Sequence, residues 1–160
     1  MGTKQVDPMR KKSSDTFEHG ADIGVRGWGE TLEEAFQNAA RAMFSIMVEG
    51  LDDNGAFTME VCHGLSGPIP VKCSSVDITG LLVAWLNALL AESDIHKLVF
   101  KKFTCNIDED QVKLTGSARG IPFPTDGEDL GIEVKGATFT MARVERDKNG
   151  RYVAQCVVDV

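Results

Sequence analysis

Charged residues inside apolar, strand-like stretches are the first candidates for chemistry in this chain. Asp22 lies between Ala21 and Ile23 where a strand is predicted to begin, a position at which aspartate is disfavoured. Asp159 follows an apolar run and precedes Val160, where the chain stops on an expected free carboxylate. The two carboxylates and the main-chain or terminal oxygens of Val160 would form an all-oxygen ligand set, which suits a hard divalent cation such as Ca²⁺ or Mg²⁺. A turn-forming role for Asp22 is the simpler alternative.

Two further side chains could join these carboxylates. Lys135 is a charged residue in an otherwise apolar and β-branched segment. Beside carboxylates it would balance their charge or contact a phosphate, whereas on a solvent-facing strand it would have no such role. His19 is the one histidine close in sequence to Asp22, and the spacing of His63 and His96 is not that of metal ligands.

The chain carries no complete set of catalytic residues in a recognised motif. Ser66 is not in a G-x-S-x-G nucleophile elbow. The glycines of segment 24–29 precede a helix but lack the Lys-Ser/Thr ending of a phosphate-binding loop. The sequence therefore favours a protein that assists another protein. A metal-dependent hydrolase that uses His19, Asp22 and Asp159 is the alternative.

Composition narrows the class of protein and of partner. The chain has 160 residues, 42% of them hydrophobic and 26% charged, which is typical of one soluble globular domain. A net charge of −7 argues against strong direct binding of nucleic acid. The longest apolar run, 81–91, is shorter than the ~20 residues that span a bilayer, so we expect no membrane association. The cysteines form no C-x-x-C pair and are expected as buried, reduced side chains in the cytoplasm: Cys62, Cys73, Cys105 and Cys156.

Hydrophobic periodicity predicts two helices in a single domain at 16–160, after a disordered tail at 1–15. The first helix is predicted at 31–48, with Thr31 and Glu34 as a capping box and Gly50 as its stop. The second is predicted at 76–92 and capped by Ser74 or Ser75. Its back face is small and uncharged, so this helix either packs on both sides or meets a partner.

The remaining segments predict strands, several of them linked as hairpins. Alternation and turn residues place strands at 23–28, 57–63, 69–73, 98–107, 112–118, 132–144 and 152–160. The expected fold is α+β, a two-layer sandwich with two helices on one face of a mainly antiparallel sheet.

Five segments match, in order, the pattern of a known family. They read H-x-A-D-I-G at 19–24, T-L-E-E-A-F at 31–36, L-L-x-x-W-L-N at 81–87, E-V-K-x-A-T at 133–138 and D-V at 159–160. In these segments the chain resembles the archease family, and the resemblance extends from Phe17 onward.

The resemblance implies a specific function for the candidate residues. Members of that family are cytoplasmic accessory proteins that promote guanylylation and turnover of a GTP-dependent RNA ligase in tRNA splicing and RNA repair. The ligase, not the accessory protein, supplies the histidine nucleophile and the GTP site. The family's cation ligands correspond to Asp22, Asp159 and Val160, and its functionally important lysine to Lys135. The implied cation is Ca²⁺, with Mg²⁺ or Mn²⁺ as alternatives. A chaperone-like role toward an RNA methyltransferase is the alternative function.

Several positions depart from the family pattern. Gly20 stands where threonine is expected, Ala84 where aspartate is expected and Gly136 where alanine is expected, and 139–140 reads Phe-Thr where Tyr-His is expected. The absent acid at Ala84 argues against a contribution of the second helix to the cation site. The change at 139–140 bears on whether this protein keeps the partner of the other family members.

Overall fold

A computed structural model describes residues 12–48, 64–124 and 131–160. The predicted strand at 57–63, with Cys62 and His63, and the predicted stop at Gly50 lie outside these residues. The described elements are β1 Ser14–His19, β2 Asp22–Gly29, α1 Leu32–Ile46, β3 Ser66–Ser74, α2 Ile78–His96, β4 Leu98–Asp108, β5 Lys113–Pro122, β6 Gly136–Ala137, β7 Arg143–Arg146 and β8 Tyr152–Asp159.

The described strands form two antiparallel sheets. One has the order β1-β2-β8-β6, with β7 pairing β8 further along its length, and the other has the order β3-β5-β4. The α+β class with two helices on mainly antiparallel strands is thus confirmed, although the strands divide between two sheets where one was expected. Helix α1 packs on β2 and β8 of the first sheet and on β4 of the second, while α2 packs mainly on β3 and β6.

Helix α1 begins as its sequence predicts. The side-chain oxygen of Thr31 accepts the N–H of Glu34 at 3.1 Å. The Glu34 carboxylate in turn accepts the N–H of Glu30 at 2.8 Å, one residue before the cap. The apolar stripe of α1 is buried, including Ala35, Phe36, Ala39, Met43 and Phe44. Gly27 allows α1 to lie close to β2, because a β-carbon there would collide with the main chain of Ala39.

Helix α2 is capped by Asp77, so the prediction of Ser74 or Ser75 as its cap is wrong. Asp77 Oδ1 accepts the N–H of Gly80 at 2.7 Å. Ser74 is still paired with β5, and the N–H of Ser75 donates to the carbonyl of Val112 at 3.1 Å. Strand hydrogen bonding therefore engages both serines, and the helix starts later than the apolar pattern suggests.

The apolar stripe of α2 lies in the core. With 19 residues and a mean hydropathy of 1.4, α2 is long and apolar enough to span a membrane, but Leu81, Leu82, Trp85, Leu86 and Leu89 are fully buried within the domain. The indole N–H of Trp85 donates to the carbonyl of Phe36 at 3.0 Å and joins the two helices. On the back face Asn87 and Ala91 remain exposed, so the second side of α2 is only partly packed.

Two strand predictions differ from the structure. The segment 132–144 is not one strand, because β6 and β7 are separated by a turn in which the N–H of Ala142 donates to the carbonyl of Phe139. Strand β1 was not predicted, and it includes residues 14 and 15 of the expected tail. Its pairing with β2 is supported by an ion pair between Arg26 and Asp15 at 3.0 Å. The hairpins β4–β5 and β7–β8 agree with the sequence.

Candidate functional site

Pairing of β2 with β8 brings the two sequence-distant ends of the site together. Ile23 lies opposite Val158, and continuing this antiparallel register by one residue sets Asp22 opposite Asp159. The main-chain N–H of Val160 donates to Asp22 Oδ1 at 3.3 Å. The structure therefore joins Asp22 and Val160 directly and aligns Asp159 with them.

The extended register places Asp22 and Asp159 on the same face of the sheet. Residues directly opposite each other on antiparallel strands project to one face, with their β-carbons ~5 Å apart. Asp22 is half-buried and Asp159 is exposed. Two like charges in this arrangement disfavour each other. A cation at this end of the sheet would relieve that repulsion.

Lys135 is tied to the same strand end through its main chain. Its N–H donates to the carbonyl of Asp159 at 2.8 Å, and the next residue, Gly136, pairs with Asp159 in β6. The Lys135 side chain is exposed and also borders a cavity of about 770 Å³ between α2 and residues 131–135. The main chain of Lys135 thus lies beside the strand end that carries the carboxylates, and its side chain borders the cavity next to α2.

His19 completes this row of residues across the sheet. It ends β1 and lies opposite Asp22, with Gly20 and Ala21 as the two-residue turn between the strands. Gly20 has a φ of +61°, whereas φ at Ala21 is not positive, which matches a hairpin turn with glycine first. His19 is exposed.

Asn87 is a residue of the site that sequence reasoning did not assign. Its side-chain amide donates to the carbonyl of Ala137 at 3.0 Å and accepts the N–H of Ala137 at 2.9 Å. Both bonds lie two residues from Lys135, so α2 fixes the main chain that carries the lysine. The signal in the sequence is a single polar amide on the small, uncharged face of the helix.

The donor atoms present fit a hard divalent cation held with few protein ligands. Asp22, Asp159 and the main-chain oxygen of Val160 are all oxygen donors, the type that Ca²⁺, Mg²⁺ and Mn²⁺ prefer. Across 12–48, 64–124 and 131–160, no group of three or more His, Cys, Asp or Glu side chains converges at metal-binding distance. Water or a partner would therefore have to supply the remaining ligands of such an ion.

The cysteines of the described residues are structural. Cys73, Cys105 and Cys156 are free thiols, and Cys156 is completely buried. Burial raises the pKa of Cys73 to about 11 and the pKa of Cys105 and Cys156 to about 12. Because the thiolate is the nucleophilic form, these side chains are poor nucleophiles at neutral pH.

Comparison with known proteins assigns the chain to a family. Residues 15–160 match the archease protein family. A protein archease of Sulfurisphaera tokodaii is 35% identical over 144 residues, which cover 90% of this chain and 96% of the relative. A protein archease of Pyrococcus furiosus is 35% identical over 146 residues, with the same coverage. The solution structure of Methanobacterium thermoautotrophicum protein 1598 superposes with a TM-score of 0.72 at 33% identity, covering 92% of this chain and 99% of that one. The chain belongs to the archease family.

Proposed function

We propose that this protein is a cytoplasmic activator of a GTP-dependent RNA ligase, and that it acts by presenting the sheet end formed by Asp22, Lys135, Asp159 and Val160 to the active site of that ligase. The observation that carries the proposal is that the main chains of Lys135, Asp159 and Val160, from the end of the domain, lie beside the Asp22 carboxylate from its beginning. Family membership supports an accessory role in RNA processing.

The geometry suits presentation to a partner better than a reaction within this domain. Asp159 and Lys135 have exposed side chains at the end of a sheet, so a partner can reach both. Their main chains are held by the hydrogen bond between Lys135 N–H and the carbonyl of Asp159. A rigid frame with exposed charges can enter a neighbouring active site without a large ordering cost.

The charges of the site match those of a nucleotide-transfer centre. A divalent ion held by Asp22, Asp159 and Val160 would supply positive charge at phosphate oxygens when bound. Lys135 would contact phosphate as a point charge, or balance the two carboxylates when no phosphate is present. An activator must favour the guanylylation-competent arrangement over the resting one, and each ~1.4 kcal/mol of such preference gives about tenfold in rate.

The test is guanylate loading of a cognate GTP-dependent RNA ligase, measured with labelled GTP, with and without this protein. Asp22→Asn, Asp159→Asn and Lys135→Met each remove one charge with little change of shape. We expect each variant to lose activation while keeping the circular dichroism spectrum of the parent. Lys135 and Asp159 are exposed, where changes usually cost little stability, and asparagine at position 22 keeps an acceptor for the N–H of Val160.

Matched controls separate the site from the general charge of the surface. Glu109→Gln and Lys102→Met remove exposed charges from the β4–β5 hairpin, and we expect both to activate as the parent does. Full activation by all three site variants would refute the site. A parent protein that never activates the ligase would refute the function, and the methyltransferase-directed chaperone role would become the leading hypothesis.

A further inference from the structure

The turn between β6 and β7 carries two exposed apolar side chains. Five large hydrophobic residues are substantially exposed in the described part of the chain: Val76, Ile95, Ile132, Phe139 and Met141. Phe139 is 67% exposed and Met141 is 52% exposed, and both lie in this one turn. Exposed apolar side chains that occur together, unlike isolated ones, mark interaction sites.

The turn is held rigidly against β8. Thr138 donates its hydroxyl to the carbonyl of Val157 at 2.7 Å, and the N–H of Val157 donates to the carbonyl of Thr140 at 3.0 Å. The side chain of Gln155 donates to the carbonyl of Met141 at 3.0 Å. Phe139 and Met141 are therefore presented in one backbone conformation, which lowers the entropy cost of docking them.

Met141 occupies a backbone conformation that its side chain does not favour. It has a φ of +52° in a four-residue turn closed by a hydrogen bond from Ala142 to Phe139, where glycine or asparagine is preferred. Among the described residues, the two other non-glycine residues with positive φ have local reasons, since Lys97 caps α2 and Val112 packs on the core. Met141 has no comparable packing role, and strain of this kind is concentrated at functional positions.

The turn adjoins the candidate functional site. Val157, which is hydrogen-bonded to Thr138 before the turn and to Thr140 within it, is two residues from Asp159, or about 7 Å along the strand. The same segment carries Lys135 at its other end. A partner that receives Lys135 and Asp159 would therefore also lie over Phe139 and Met141.

We infer that Phe139 and Met141 form the apolar anchor by which this protein docks on the protein it activates, inserted into an apolar pocket next to that partner's nucleotide site. The inference rests on the proposed function. Phenylalanine and methionine are enriched in protein–protein interfaces. The net charge of −7 and the nearby Asp159 disfavour an RNA strand as the occupant.

Two variants test the anchor. Phe139→Ala removes the larger side chain, and Met141→Gly removes the side chain while relieving the positive φ. We expect each to raise the half-saturating concentration in the guanylylation assay by at least about tenfold, as for residues central to an interface. The plateau at saturation should stay at the parental level. Met141→Gly should keep or raise the melting temperature, which excludes unfolding as the cause of weaker binding.

The controls use equally exposed side chains elsewhere. Val76 is 95% exposed and Ile95 is 68% exposed, at the two ends of α2. Val76→Ala and Ile95→Ala should leave the half-saturating concentration unchanged. A parental value for both Phe139→Ala and Met141→Gly would overturn the anchor, as would an equal loss in the two controls.

The outcomes distinguish this inference from the proposed function. Asp159→Asn should lower the plateau while keeping the ligase affinity measured by calorimetry, whereas Phe139→Ala should lower affinity alone. If the parent binds the ligase through Phe139 but does not activate it, the proposed function is refuted and the anchor is retained. Absence of ligase binding by the parent would overturn both. Sedimentation would overturn the inference if the parent self-associates and Phe139→Ala does not. The turn would then bind a second copy of this chain.

Discussion

Asp22 and Val160 are joined by a hydrogen bond from the main-chain N–H of Val160 to Oδ1 of Asp22, although 138 positions separate them in the sequence. The bond fastens the end of β8 to the start of β2. The register of the two strands also sets Asp22 opposite Asp159. The Asp22 carboxylate therefore stabilises a strand end and lies opposite a second negative charge.

This double role predicts opposite effects for two substitutions. Asp22→Ala removes the acceptor and should lower the free energy of unfolding by about 1 kcal/mol. Asp22→Asn keeps an acceptor and removes the repulsion from Asp159, so its stability should equal or slightly exceed that of the parent. Urea unfolding in the presence of a chelator measures both. Equal stability of the two variants would show that the hydrogen bond contributes nothing.

Divalent cations should bind weakly and stabilise modestly. With two carboxylates and one main-chain oxygen from this chain, we expect Ca²⁺ to act only at concentrations well above the micromolar range. At a Ca²⁺ concentration about ten times the dissociation constant, the free energy of unfolding would rise by ~1.4 kcal/mol. Thermal unfolding in a Ca²⁺ titration tests this, with Asp159→Asn expected to lose the effect and Glu109→Gln to keep it. A large rise in melting temperature at micromolar Ca²⁺ would contradict the weak site.

Asn87 should hold the Lys135 segment in place. Asn87→Ala removes both hydrogen bonds to Ala137 and should lower the free energy of unfolding by about 2 kcal/mol. Asn87→Asp keeps an acceptor for the N–H of Ala137 but sets a carboxylate oxygen against the carbonyl of Ala137, so it should also lower the free energy of unfolding. Chemical denaturation gives the stabilities, and hydrogen exchange at the Ala137 amide should be faster in Asn87→Ala. Unchanged exchange would argue against the positioning role.

Gly20 and Gly136 depart from the family pattern, and replacing each with the residue expected there should change the free energy of unfolding in opposite directions. Gly20→Thr places a β-branched side chain at a φ of +61° and should lower the free energy of unfolding by about 1 to 2 kcal/mol. Gly136→Ala adds a β-carbon that meets only the Asn87 side-chain oxygen, at 3.6 Å. This substitution should raise the free energy of unfolding by about 0.4 to 1 kcal/mol. Thermal unfolding measures both, and tolerance of threonine at position 20 would contradict the assigned turn.

The half-buried thiols of Cys73 and Cys105 and the buried thiol of Cys156 should react slowly below strongly alkaline pH. At pH 8 a thiol with a pKa of about 11 is only about 0.1% thiolate, and Cys105 and Cys156 carry still less. In a Cys62→Ser background, Cys73 should label first as the pH rises toward 11, followed by the other two. Mass spectrometry after a timed pulse of alkylating reagent gives the order, and labelling in urea is the control. Fast labelling of Cys156 in the folded protein at pH 8 would contradict its burial.

The sequence by itself determined the elements whose signals are local. The cap and apolar stripe of α1 follow from side chains within one or two helical turns of each other, with Thr31 and Glu34 as the clearest case. The hairpins β4–β5 and β7–β8 follow from turn residues between alternating segments. The candidate carboxylates and Lys135 were recognisable because charge is out of place in an apolar segment, and the family resemblance fell on the same positions.

Only the tertiary structure decided how these elements meet. Whether Asp22 faces Asp159 depends on the register of β2 with β8, and register is set by long-range packing and not by either strand alone. The cap of α2 is Asp77 and not Ser74 or Ser75, because β3 continues to pair with β5 through Ser74. The segment 132–144 breaks at Met141 because side chains of β8 and a closed turn outweigh its β propensity. Asn87 gained its role from contact with a strand 50 residues away, a relation that no local pattern encodes.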